Sequence, residues 1–562
     1  MSYRAPLAEI ETTLAHAVGA DRLAATGRFS EATADMRAAI FAEAARMAET
    51  VLAPLQRPGD LHPARLENGV VRTSPGFADG FRAIAEGGWI GVSAEPDFGG
   101  MGLPITFGTV VNELMASACL SLSLCPLMSQ GQIEALEHHA PDEIKALYLP
   151  KLISGAWTGT MNLTEPQAGS DVGALRSKAE PNGDGSFAVS GQKIYISWGD
   201  NDFAENVCHL VLARLPDAPA GTKGVSLFLV PKFIPDDEGR PGERNSLNVV
   251  SLEHKMGLHG SPTAVMQYDG AKGWLIGPEG GGMAAMFTMM NNARLGVGVE
   301  GLGVAEGALQ KALAYAAERK QGRTPVEGAG AIIDHADVRR MLMRMKALTA
   351  AARAICLDCA FSLDMARAAP EPERGGWAAR AAFLTPIAKA FSTETGHEVA
   401  QLGIQVHGGM GFVEETGAAQ FARDVRVTMI YEGTNGIQAM DLVGRKLADG
   451  GMAARSLLAE ISGTARGSSA IAAARAALET TTDWMLEAAP LDRNAGATPY
   501  LRAWGLILGA HYLAKQAEAE AARAPLAEWA ASQLLPEARG LLETATAGAA
   551  PLYALSSESL AG

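Results

Sequence analysis

Aromatic residues are scarce in this 562-residue chain, at 6% of positions against 48% hydrophobic residues in all. Ala-rich stretches make up the difference, a composition that argues against a disordered or all-β chain and for a mainly helical globular protein. Cysteine is scarcer still. The five residues at 119, 125, 208, 356 and 359 are odd in number and scattered, which gives no support to a disulfide framework. Cys356 and Cys359 form a C-x-x-C, but within a helical pattern and with no second Cys or His pair at ligand spacing, so buried packing is expected and no metal. The most apolar windows, 115–127 and 350–363, are interrupted by polar residues before the roughly 20 apolar positions a membrane span requires. The first residues lack the basic-then-apolar profile of a secretion signal. A soluble cytoplasmic protein without a membrane partner is the expectation.

Positive charge is also in deficit. A formal net charge of −15 gives a field that repels phosphate backbones. The one dense basic stretch, Arg339, Arg340, Arg344 and Lys346, alternates with Met341, Leu342, Met343 and Met345 like the solvated face of a helix. No nucleic-acid partner is expected. A Rossmann-type dinucleotide site is not expected either, because no G-x-G-x-x-G opens a βαβ unit.

The length implies three or four domains. From Ser30 to Leu55 apolar residues recur at helical spacing, and helical stretches follow at 77–87, 107–118 and 130–139. Between about 157 and 281 the pattern changes to β-branched and aromatic runs at 186–197, 207–214, 225–230 and 264–268, separated by turn clusters such as Asn182-Gly183-Asp184-Gly185. Long helical periodicity returns at 283–320, 337–365, 378–405 and 434–447, with bundle character. These runs predict a helical domain at 1–156 that includes a short leader, a β-domain at 157–281, a helical bundle at 282–449 and a further helical region at 450–562.

Four motifs stand in this frame: Thr164-Glu165-Pro166-Gln167-Ala168-Gly169-Ser170-Asp171, Gly191 to Ser197, Gln405 to Gly411, and Ile430-Tyr431-Glu432-Gly433-Thr434-Asn435-Gly436-Ile437-Gln438. Alone, the first is an ordinary turn and a Glu between Tyr and Gly an ordinary surface residue. In this order they resemble the acyl-CoA dehydrogenase family, over about residues 30 to 447. The opening Tyr3-Arg4-Ala5-Pro6-Leu7, the phrases Tyr195 to Asp200 and Gln321-Gly322-Arg323, and the helical tail are similar to the branch that includes 3-(methylthio)propanoyl-CoA dehydrogenase.

The resemblance implies an α+β, mainly α fold and an FAD cofactor. It places Met161, Leu163, Thr164, Gly169, Ser170, Tyr195, Ile196 and Ser197 along the flavin, with Tyr and Ser where relatives usually carry Trp and Thr. It implies that Arg319, Gln405, Gly408 and Gly409 reach the flavin dinucleotide of a neighbouring subunit, and that Thr434 and Asn435 also meet the cofactor. Ser170, Asn291, Arg294 and Gly433 would meet acyl-CoA, Asn291 standing where an Asp is usual. Glu432 would remove the α-proton, since a desolvated carboxylate gains basicity. The implied reaction converts a short or medium acyl-CoA of fatty-acid metabolism, 3-(methylthio)propanoyl-CoA among the candidates, into the trans-2-enoyl-CoA. Electrons would pass to an electron-transfer flavoprotein, and the enzyme would be a homo-oligomer, a dimer or a tetramer. Two other readings stay open: an acyl-CoA oxidase using O₂, and a DNA-associated alkylation-response flavoprotein on the same scaffold. Arg423 and Asp424 read as a structural ion pair.

Overall fold

A computed structural model describes residues 3–325 and 330–562. Helix α1 (Ala34–Met47) starts at Thr33, whose side chain accepts the Met36 N–H, and buries Phe41, Ala44, Ala45 and Met47. The apolar run beyond it continues as a wider π-helical turn, Ala48–Leu52, before Pro54, which has no amide to extend the ladder. The helical reading of this domain misses a hairpin, Arg65–Glu67 with Val70–Arg72. Asn68 and Gly69, at φ 51° and 75°, supply its tight left-handed turn.

Helices α2 (Phe77–Glu86), α3 (Ile105–His139) and α4 (Asp142–Ile153) complete the first domain. The two helices that the periodicity predicts meet end to end in α3, separated by a kink at Cys119, where the backbone leaves helical angles (φ −155°, ψ 87°). Contrary to the window reading, α3 is long and apolar enough to cross a membrane, yet 94% of its most apolar window is buried inside the protein. It is a core segment, packed chiefly against the long bundle helix Gly282–Glu318 and the strand Trp157–Asn162.

Seven strands form the main sheet of the middle domain: β1 (Trp157–Asn162), β2 (Lys178–Pro181), β3 (Phe187–Ser197), β4 (Asn206–Arg214), β5 (Val225–Pro231), β6 (Leu247–Leu252) and β7 (Thr263–Ile276). β7 pairs with β3 along most of its length and with β5 at its end; β5 pairs with β4, β4 meets β2, and β2 returns to β3. These five strands therefore close into a ring, while β1 pairs with β4 and β6 with β7 as its outlying strands. Val189, Ile196, Val211, Phe228, Met266 and Tyr268 fill its core.

The bundle is α5 (Gly282–Glu318), α6 (Ala336–Ala368), α7 (Glu371–His407), α8 (Ala418–Val425) and α9 (Asn435–Asp441). α5 and α7 approach closely at Gly298 and Gly301, where a Cβ would lie 2.7 and 2.5 Å from the carbonyl oxygens of Ala388 and Ser392. Helices α10 (Met452–Ala465), α11 (Ser469–Glu487), α12 (Ala497–Ala519) and α13 (Ala524–Ala545) form the last region. Their apolar residues join the same buried cluster as the bundle, Trp504 packing edge-on against Phe383 at 5.1 Å. The leader docks there too: Arg523 donates to Glu9 at 2.6 Å and Gln516 to the Thr13 hydroxyl at 3.2 Å.

Two electrostatic expectations are corrected. Arg423 pairs with Asp60 (2.6 Å) and Glu414 (2.9 Å), while Asp424 accepts the Leu258 N–H at 2.7 Å, so neighbours in sequence point to different elements. In the basic stretch of α6, Arg344 is drawn onto Glu398 and Glu537 of facing helices instead of being solvated. All five cysteines are buried and free.

Candidate active site

The Thr164 loop leaves β1 and folds on itself, Glu165 and Ala168 exchanging N–H···O bonds of 3.1 and 3.0 Å. It is clamped to β3: the Ile194 N–H donates to the Thr164 carbonyl at 2.9 Å, and buried Lys193 donates to the Leu163 carbonyl and the Glu165 carboxylate at 3.0 and 2.8 Å. Opposite β7, Ile194 and Tyr195 occupy the space of one residue, because Lys193 pairs Met266 while Ile196 pairs Ala264. This bulge holds Tyr195 at φ 60° and leaves it 62% exposed. Ser197 follows on the same strand, and Met161 lies part-buried on β1. Ile196 turns into the barrel core, 2% exposed, so it offers a cofactor only its backbone.

Gly169 and Ser170 are exposed at the loop's tip. A Cβ at Gly169, or at Gly409, would meet nothing within 4 Å, so packing within the chain does not demand glycine there. Open glycine backbone beside Thr164, Tyr195 and Ser197 fits a large group lying against the loop, and FAD satisfies that description.

Gln405, Gly408 and Gly409 lie at the far end of α7, and Arg319 caps α5. Tyr315, one turn before Arg319, stacks on His407 with ring centroids 4.4 Å apart, so the structure brings these residues to one end of the bundle. Arg319 is exposed, and Met410, Phe412 and Val413 nearby are 47%, 88% and 39% exposed.

Glu432 sits on the loop before α9 at φ 53°, followed by Gly433 at φ 81°. Left-handed backbone is rare for a non-glycine residue and persists where the surroundings impose it. Here Gln438 donates to the Glu432 carbonyl at 3.0 Å, and Lys389 of α7 donates to the Gly433 carbonyl and to Asn435 Oδ1, both at 2.9 Å. Thr434 caps α9 by accepting the Ile437 N–H. The Asn435 side chain bonds to α7: besides Lys389 it meets Thr393 at 3.1 Å and Glu394 at 3.3 Å.

Burial pushes the Glu432 carboxyl up to about 7, against the opposing pull of Arg294 and Lys389. Arg294 is 5% exposed, with Asp441 at 3.6 Å and Asn291 at 3.5 Å, and its Nε has no partner. Burial lowers Lys389 to about 8, while Glu432 and Glu300 pull it the other way. Lys389 and Glu300 are missed by the sequence reading. Their signal is an ionisable residue inside an apolar helical run, which becomes meaningful only once α5 and α7 are packed. A separate cavity of about 70 Å³ lies between α3 and α5, lined by Asn112, Leu127, Gln130, Leu295 and Val299.

Family models match nearly the whole chain: the acyl-CoA dehydrogenase N-terminal domain at 35–156, the middle domain at 160–271, the C-terminal domain at 280–447, and an acetyl-CoA dehydrogenase C-terminal-like domain at 452–556. The chain is 46% identical over 542 residues, 92% of each protein, to 3-methylmercaptopropionyl-CoA dehydrogenase of Ruegeria pomeroyi. It superimposes on Caenorhabditis elegans ACDH-11, solved with C11-CoA, at a TM-score of 0.78 and 20% identity, covering 96% of this chain and 91% of that one. A Bacillus anthracis acyl-CoA dehydrogenase complexed with FAD matches at 0.74 and 20%, covering 92% and 89%.

The fold and the family models together define an oxidoreductase of the kind that acts on the CH–CH bond of an acyl-CoA. The chain belongs to the acyl-CoA dehydrogenase family.

Proposed function

We propose that this enzyme oxidises a short acyl-CoA, with 3-(methylthio)propanoyl-CoA as the leading substrate, to the trans-2-enoyl-CoA, and that Glu432 is the base. One observation carries the reading: a single carboxyl, raised to about 7, on a loop that three side chains hold in a left-handed turn. A base near neutrality combines a useful population of carboxylate with enough basicity to take a proton α to a thioester. Arg294 and Lys389 keep Glu432 from becoming too weak an acid, and the proton ends on its carboxylate. FAD, when bound, supplies the acceptor for the hydride leaving the β-carbon.

Thr164, Gly169, Ser170, Tyr195 and Ser197 would hold the flavin, with Arg319 and the Gln405 to Gly409 segment serving the cofactor of a second subunit. Exposed Tyr195 leaves a route for an electron acceptor, which we take to be an electron-transfer flavoprotein. The substrate assignment draws on the R. pomeroyi relative, which spans the same length at 46% identity. The test is a comparison of kcat/KM across straight-chain C3 to C8 acyl-CoAs and 3-(methylthio)propanoyl-CoA, with electron-transfer flavoprotein or air as acceptor. The thioether substrate should rank first with the flavoprotein. A preference for C8, or stoichiometric hydrogen peroxide in air, would overturn the substrate or the acceptor respectively.

A further inference from the structure

Between Leu295 and Val304, α5 is built from Gly, Val and Leu with one ionisable exception, Glu300, which is 2% exposed. Burying a carboxyl is costly unless it is partnered. One of its oxygens, Oε2, accepts a short hydrogen bond from the Tyr431 hydroxyl; the other, Oε1, is buried without a partner. Tyr431 immediately precedes Glu432. The side-chain tethers from Gln438 and Lys389 hold the loop at and after Glu432, and the Tyr431 to Glu300 bond holds it before. The left-handed conformation at Glu432, strained for a side chain with a Cβ, is thus pinned from both sides.

We propose that Glu300 is a positioning residue for the base: through the Tyr431 hydroxyl it fixes the upstream half of the Glu432 loop. The inference rests on Glu432 being the base. The ionisable groups facing Glu300 are Tyr431 and Glu432 from the loop and Lys389 from α7, with Arg294 of its own helix acting on the same cluster. Burial pushes Glu300 to about 8, the Tyr431 bond lowering it and Glu432 raising it. Below that pH it is a neutral acid. Above it, a second negative charge stands beside the base and opposes the negative charge that develops on the substrate during α-deprotonation.

The test uses flavinated enzyme carrying Tyr431→Phe, Glu300→Leu, both together, and Glu300→Gln. Tyr431→Phe and Glu300→Leu should each lower kcat about tenfold with little change in KM, and the double variant should be no worse than the weaker single, because one contact is removed. Amide exchange across residues 430–436 should quicken in all three. Glu300→Gln keeps an acceptor oxygen, so its exchange should stay slow, while the fall in wild-type kcat above about pH 8 should vanish. Additive losses, unchanged exchange in Tyr431→Phe, or an alkaline limb retained in Glu300→Gln would each overturn the proposal. Tyr431→Phe and Glu300→Gln decide the matter if Glu300→Leu fails to fold. Glu432→Gln is assayed alongside: if it turns over normally the base assignment itself is wrong, whereas if it is dead and the Glu300 set behaves as wild type, only this inference falls.

Discussion

Glu432 is subject to opposing forces whose balance sets the working range of the enzyme. Desolvation favours its neutral form and the Arg294 and Lys389 cations favour the carboxylate, leaving it at about 7. Because the reaction needs the carboxylate, kcat/KM should rise as pH increases through about 7, ahead of the fall expected above about 8 as Glu300 ionises. Removing the positive charge with Lys389→Met would move that rise to higher pH; a rise centred near 4.5 in wild type would mean the carboxyl is solvated. Glu432 and Arg294 are legible in the sequence because each sits in a motif. Lys389 and Glu300 are not, since a Lys between Ala388 and Ala390, or a Glu between Val299 and Gly301, says nothing until the helix faces are known. For Asn435 the motif gives the address but not the side-chain bonds to Lys389, Thr393 and Glu394.

At the scale of elements, the Thr164 loop depends on a buried ion pair. Lys193 is fully buried and Glu165 4% exposed, at 2.8 Å. Burial raises the Glu165 carboxyl, but Lys193 and Ser177 outweigh it and leave it at about 2; burial lowers Lys193 to about 8. The Lys193 ammonium is what keeps the buried Glu165 carboxyl ionised. Lys193→Met would therefore strand a buried carboxylate and cost about 3 kcal/mol, visible as a lower Tm and weaker flavin retention. A melting curve identical to wild type would show that the pair does not hold the loop. The strand carrying Lys193 is readable from its alternation and turn residues, but the Tyr195 bulge is not, because it exists only in the register against β7. Likewise the Asn68-Gly69 hairpin is a local signal lost inside a domain read as helical.

Across the whole molecule, the C-terminal helices are part of the bundle and reach toward the site. Arg502 of α12 pairs with Glu398 at 2.9 Å, Glu537 at 3.0 Å and Glu394 at 3.2 Å, and Glu394 in turn meets Asn435 on the Glu432 loop. Composition and periodicity reveal these helices as helices, yet their docking depends on pairs separated by a hundred residues or more, such as Arg502 with Glu394, which no local pattern carries. Arg502→Leu should destabilise the protein by about 2 kcal/mol through the unpaired carboxylates it leaves, and should quicken amide exchange at both α12 and the Glu432 loop. Exchange confined to α12 would show that the C-terminal region is attached without supporting the site.

The claim on which all three scales converge is that Glu432 takes the α-proton. Its most direct measurement is an anaerobic stopped-flow mix of flavin-saturated wild type and Glu432→Gln with 3-(methylthio)propanoyl-CoA, following flavin bleaching. The account predicts rapid bleaching in wild type and a loss of at least about a thousandfold in the variant, some 4 kcal/mol of barrier, with the acyl-CoA still bound. Bleaching of Glu432→Gln at a rate near that of wild type would contradict it.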